Sequence, residues 1–228
     1  MKAFTLSFLF IALCLTIRSQ QGQIIRFELI AQGQPFQLDK NYFMASLNDS
    51  VSISKLKFYI SDISIAKHGK KEETLRQKHY LIDAENADSR IIYLDNKYSF
   101  DRISFNLGVD SLTNVGGVKG GDLDPIHGMY WTWQSGYINI KLEGYSPVCN
   151  TRNHFFQHHL GGYMLPYNCL QRINLNVDED ETEITILVDV LKYIESINIS
   201  TTPEVMSPGT HAVSMAENFS KIFSFNHE

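Results

Sequence analysis

What most constrains the fold of this chain is an alternation of apolar and polar residues with a period of two. Ile25, Phe27 and Leu29 fall on one side of such a segment, with Arg26 and Glu28 opposite. Leu56, Phe58 and Ile60 continue it, and the phase then slips at Asp62 before Ile63 and Ile65, as a β-bulge would make it. Ile103, Phe105, Leu107 and Val109 alternate cleanly. So do Ile138, Ile140 and Leu142, then Ile173, Leu175 and Val177, then Ile184, Ile186, Val188 and Val190. Short apolar runs at 79–83 and 91–94 add to the set. Successive side chains on a strand point to opposite faces, so each segment reads as a half-buried strand. About eight strands predict an all-β chain, an antiparallel β-sandwich in which each sheet buries one face. Ala212, Met215, Ala216, Phe219, Ile222 and Phe223 recur every three or four residues, which predicts a short C-terminal helix after Ser207-Pro208-Gly209. A helical turn is expected over 192–197.

The first residues read as an address. Lys2 is followed by an almost wholly apolar run from Ala3 to Ile17 and then by Arg18-Ser19-Gln20. That predicts a secretory signal peptide at 1–20 and a single domain at 21–228, exported most simply to the periplasm. A lipoprotein would need a small residue before Cys14, where Leu13 stands. No second apolar stretch of about 18 residues follows, so no membrane span is expected. With 43% hydrophobic and 12% aromatic residues the chain can build a core, which excludes disorder. A net charge of −5 and the absence of a basic patch argue against nucleic acid as a partner.

Loss of the leader leaves two cysteines, Cys149 and Cys169. In an oxidising compartment such a pair is most simply a disulfide, which would stabilise the fold by roughly 3 kcal/mol in the chain-entropy model. A thiolate metal site is the alternative, although the spacing matches no zinc pattern.

The chemistry-bearing stretch runs from Asn106 to His159. Its glycine-rich start, Asn114-Val-Gly-Gly-Val-Lys-Gly-Gly-Asp, lacks the helix and lysine–serine pair of a phosphate loop and reads as a crossover. The acids at 178–181 lack calcium-loop spacing and read as a solvated turn. Both tryptophans, Trp131 and Trp133, follow Met129 at alternate positions, so in an extended chain the three share a face. Of eight histidines, His127, His154, His158 and His159 fall close together. Imidazole and thioether donors in one place suit copper better than a hard cation. In a strand His154 and His158 would share a face, with His159 opposite. Asp122, Asp124 and His127 offer a weaker set for metal-assisted hydrolysis. Nothing supplies an activated serine, a catalytic cysteine or an evident carboxylate pair, so the chain is not expected to be an enzyme.

Val109-Asp-Ser, Gly121-Asp-Leu-Asp-Pro, Gly128-Met-Tyr-Trp-Thr-Trp-Gln-Ser-Gly-Tyr, Lys141-Leu-Glu-Gly and His159-Leu-Gly-Gly together resemble the MbnP-like family. Leu56-Lys-Phe-Tyr-Ile-Ser-Asp-Ile and Ala216-Glu-Asn-Phe extend the resemblance over nearly the whole mature chain. The Trp-x-Trp-x-x-Gly-Tyr block is its specific part. That family is associated with methanobactin systems and copper handling. The resemblance implies an exported copper-binding protein in which a partner di-haem enzyme oxidises a tryptophan to kynurenine. The indole lone pair belongs to the ring; opening the ring gives an aniline nitrogen and a ketone that can ligate. Trp131 and Trp133 are then the modification candidates and His159 the best-placed histidine. His127, His154 and His158 lie beside the shared motifs rather than inside them.

The first reading is therefore a copper-binding protein for copper acquisition, storage or delivery. The alternative is an envelope binding module without metal that uses Trp131, Trp133 and Tyr137 as an exposed aromatic platform for a glycan, peptide or other partner.

Overall fold

The computed structural model describes residues 22–226 except 69, 135, 179 and 180, with backbone alone at 76 and 77. The signal peptide expected at 1–20 lies outside the described residues. Strands β1 (Ile24–Ala31), β2 (Gln34–Pro35) and β3 (Asn41–Met44) lead into the long β4 (Asp49–Ala66), which turns back as β5 (Glu73–Asp83). Next come β6 (Ile91–Tyr93), β7 (Arg102–Leu107) and the short helix α1 (Ser111–Val115). They are followed by β8 (Tyr130–Trp131), β9 (Gly136–Tyr145), β10 (Phe155–Gly161), β11 (Gln171–Asn176) and β12 (Glu183–Asp189). The chain closes with α2 (Val190–Glu195), β13 (Glu204–Val205), α3 (Thr210–Ser220) and β14 (Phe223–Phe225).

The result is mostly β, 44% strand against 18% helix. Among the described residues, a five-stranded sheet runs β14-β12-β1-β2 with β6 also on β1. A nine-stranded sheet runs β11-β7-β4-β9-β10-β13, with β3 and β5 on β4 and β8 on β9. The main core joins the two: Phe27 of β1 meets Phe105 of β7 edge-on at 5.6 Å, and Phe223 of β14 meets Phe58 of β4 at 5.8 Å. α3 packs over β10 and β11, and Phe219 contributes a ring 5.6 Å from Phe58. The helix ends at Ser220, so Ile222 and Phe223 of its apolar series belong to the turn and strand beyond it.

The sheets are mixed, not purely antiparallel. β1 runs parallel to β12, and β10 parallel to β13. Alternation reports which face a residue takes but not strand direction, and β1 and β12 are separated by most of the chain, room enough for a crossover. The strand count also exceeds eight, because two- to four-residue strands are too short to show a period. The helical turn expected near residue 192 is α2, which begins at Val190. At Asp62 the backbone takes φ 48° and the register of β4 shifts, which is the bulge the phase slip implied.

The large sheet is covered on both faces in its middle. Phe58 and Ile60 point into the main core, whereas Tyr59 joins a second cluster with Val109, Leu123, Met129, Trp131 and Tyr137. The same parity puts Lys57, Lys141, Glu143 and His159 on this outer face. That face carries the candidate site.

The expected Cys149–Cys169 disulfide is not formed; both residues are buried free thiols. Cys149 Sγ points to the carbonyl of Ile199 at 3.4 Å, and Cys169 Sγ to that of Gly161 at 3.2 Å. The Cys149 carbonyl is met by His154, just before β10, whereas Cys169 N–H donates to Gly162, just after it. The seven residues of β10 separate these ends by roughly 20 Å. A disulfide needs Cα atoms within about 7 Å. Burial raises the thiols to about 11 for Cys149 and about 12 for Cys169.

Candidate site on the outer face of the large sheet

Strands β9 and β10 pair antiparallel with His159 opposite Lys141 and Gln157 opposite Glu143. This register sets Glu143 diagonally across from His159, and His159 Nε2–H donates to Glu143 Oε1 at 2.7 Å. Lys55 lies 3.4 Å from the other carboxylate oxygen and Lys141 Nζ 3.7 Å from Oε1. The hydrogen bond from His159, then Lys55 and Lys141, hold the Glu143 carboxyl down to about 2 against the burial that opposes ionisation. Lys141 Nζ also donates to the Gly128 carbonyl at 3.0 Å, which ties the tryptophan-bearing segment to the sheet. Because ionised Glu143 only accepts, it fixes the proton of a neutral His159 on Nε2 and leaves Nδ1 with the lone pair.

Met129 and Trp131 are buried under this segment, as a strand reading of their shared face implies. Trp133 departs from it: the chain turns after β8, and this ring is 64% exposed, yet it lies 5.7 Å from that of Trp131. A Cβ on Gly161 would stand 2.8 Å from Cζ3 of Trp131, so the indole rests directly on the backbone two residues beyond His159. Tyr137 is buried, its hydroxyl accepting from Lys119 N–H at 3.0 Å. It therefore does not belong to an exposed platform.

The other histidines do not join His159. Asn153 and His154 both have positive φ, which breaks the chain before β10. His154 is exposed there, with Nδ1–H donating to Cys149 at 3.0 Å. His158 faces the core, fully buried: its Nε2–H donates to Thr202 at 3.1 Å and its Nδ1 accepts from the Tyr193 hydroxyl at 3.1 Å. Exposed His127 donates from Nε2 to Gly121 at 3.1 Å. Nor do the acids at 122 and 124 converge with it. Asp122 accepts from Leu81 N–H, and Asp124 caps the turn at Ile126. Among the described residues no three His, Cys, Asp or Glu side chains are placed to hold a metal ion. The four candidate histidines therefore do not form one donor set.

A pocket of about 190 Å³ opens beside Trp131, walled by Tyr163, Tyr167, Pro166 and Pro208, with Gln134 at its edge. Sequence reasoning missed Glu143 and this loop. Two signals were available: an acid at the matching parity of the partner strand, and the aromatic run Gly162-Tyr-Met-Leu-Pro-Tyr167.

A mostly-β, two-sheet chain with a buried tryptophan set against a histidine-bearing strand defines the class. The MbnP family model matches residues 20–207, and the chain belongs to that family. It is similar in fold to the solved structure of MbnP from Methylosinus trichosporium, with a TM-score of 0.58 and 16% identity over 83% of this chain and 82% of that one. No curated protein matches it. Among the described residues no helix is long and apolar enough to cross a membrane.

Proposed function

We propose that this MbnP-family chain is an exported, periplasmic, non-catalytic copper-handling protein, and that its working site is the corner formed by Trp131 and His159. The observation that carries the reading is the seat of the Trp131 indole on Gly161, within a family match that spans the whole corner. His159 would offer Nδ1, the atom Glu143 leaves with a lone pair. Among the described residues no third His, Cys, Asp or Glu joins His159 and Glu143, so copper retention on this reading goes with oxidation of Trp131 or Trp133 by a di-haem partner. The histidines at 127, 154 and 158 have no part in it. The test is copper titration against a competing chelator, paired with intact mass, for wild type and His159→Ala. Wild type carrying an oxidised tryptophan and losing its copper affinity in His159→Ala would support the reading. Equal affinity in both would remove His159 from the site.

A second reading is favoured by the exposure of Trp133 and the aromatic pocket beside Trp131. On it the same face binds an organic ligand without metal.

A further inference from the structure

We propose that the pocket beside Trp131 is a binding site for a small molecule bearing one planar, uncharged ring. This rests on the second reading above and names its ligand class; it needs neither metal nor modified tryptophan.

Three observations point to that class. The first is size: about 190 Å³ slightly exceeds the roughly 150 Å³ of an apolar cavity that takes a benzene ring. That volume accommodates one ring system. The second is charge. Among the described residues lining the pocket none is ionisable near neutrality; Trp131, Tyr163 and Tyr167 supply ring surfaces, Pro166 and Pro208 apolar edges, and Gln134 one amide. An anionic or cationic ligand would lose hydration there with no oppositely charged partner among these residues. The third is that the walls are built in. Gly161 and Gly136 back the walls closely: a Cβ on Gly161 would collide with Trp131 at 2.8 Å, and a Cβ on Gly136 would crowd Cε1 of Tyr163 at 3.1 Å. Two rings are thereby held on backbone, which limits the entropy lost when a ligand enters. On the pocket wall exposed Met164 and Leu165 offer apolar surface to the rest of the molecule.

The experiment is ¹⁹F NMR of 5-fluoroindole with the purified protein in excess chelator. The proposal expects saturable shift or broadening of the fluorine signal at millimolar or lower concentration, reversed by indole and not by cyclohexanol, which is similar in size but not planar. Tyr163→Ala and Tyr167→Ala should each weaken binding roughly three- to tenfold through loss of a ring contact, with unchanged circular dichroism. Absence of saturable binding, displacement by cyclohexanol as readily as by indole, or full affinity in both folded variants would overturn it. If 5-fluoroindole fails while glucose perturbs the fluorescence of Trp131 and Trp133, the ring assignment falls and the aromatic-site reading stands.

Discussion

Glu143 Oε1 accepts a 2.7 Å hydrogen bond from His159 Nε2 across the pairing of β9 and β10, with the Lys55 and Lys141 ammoniums on the same carboxylate. The Glu143 carboxylate is mostly buried, so its protonation is coupled to folding. The Glu143 carboxyl, ordinarily near 4.5, is held at about 2 in the folded state. A depressed acid binds its proton more readily in the unfolded chain. Its contribution is whole above about pH 4.5 and is lost as pH falls toward 2. Wild type should lose on the order of 3 kcal/mol over that window from this group. Denaturant melts from pH 6 to 2 should show that loss reduced in Glu143→Gln; an unchanged acid limb would place the linkage elsewhere.

His158 titrates in a different window. Burial pushes its imidazole from the ordinary 6.5 down to about 4, with Thr202 and Tyr193 satisfying both nitrogens of the neutral ring. The unfolded chain takes up this proton first. Stability is therefore undiminished above about pH 6.5 and falls as the pH drops to about 4, again by about 3 kcal/mol. His158→Leu should be less stable than wild type at pH 8, since the Tyr193 hydroxyl loses its acceptor, and should show a flatter profile between pH 6.5 and 4. Parallel profiles for the two proteins would count against a neutral buried ring.

The two thiols at opposite ends of β10 predict a chemical result. Without reductant, both Cys149 and Cys169 should react with iodoacetamide in denaturant, and neither should react in the native protein at pH 8, where burial keeps them protonated. A mass 2 Da lower for the fragment holding both cysteines would instead reveal a bond and a rearranged β10.

Much of this was legible from residue parity. Alternation located the long strands, and the slip at Asp62 marked a true bulge. Parity also says that His158 and His159, adjacent on one strand, face opposite sides of a sheet, so four neighbouring histidines could not have converged. The partner of His159 was only half legible: parity puts Glu143 on the same face, but which residues of β9 and β10 stand opposite each other is set by the geometry of the connection from 146 to 154, which alternation does not report. Trp133 misled for a local reason: the turn after Trp131 ends the strand that would have buried it. The cysteine pair misled because sequence separation measures loop length and not direction; an extended strand inside that loop keeps its ends apart.

The central claim is that the Trp131–His159 corner is where this protein handles copper. Anomalous diffraction at the copper edge, on crystals of protein isolated from its native exported compartment, tests it most directly. The account predicts one copper peak within ligating distance of the His159 ring and beside a modified Trp131 or Trp133. Full-occupancy density for two intact indoles with no copper peak at that corner would contradict it.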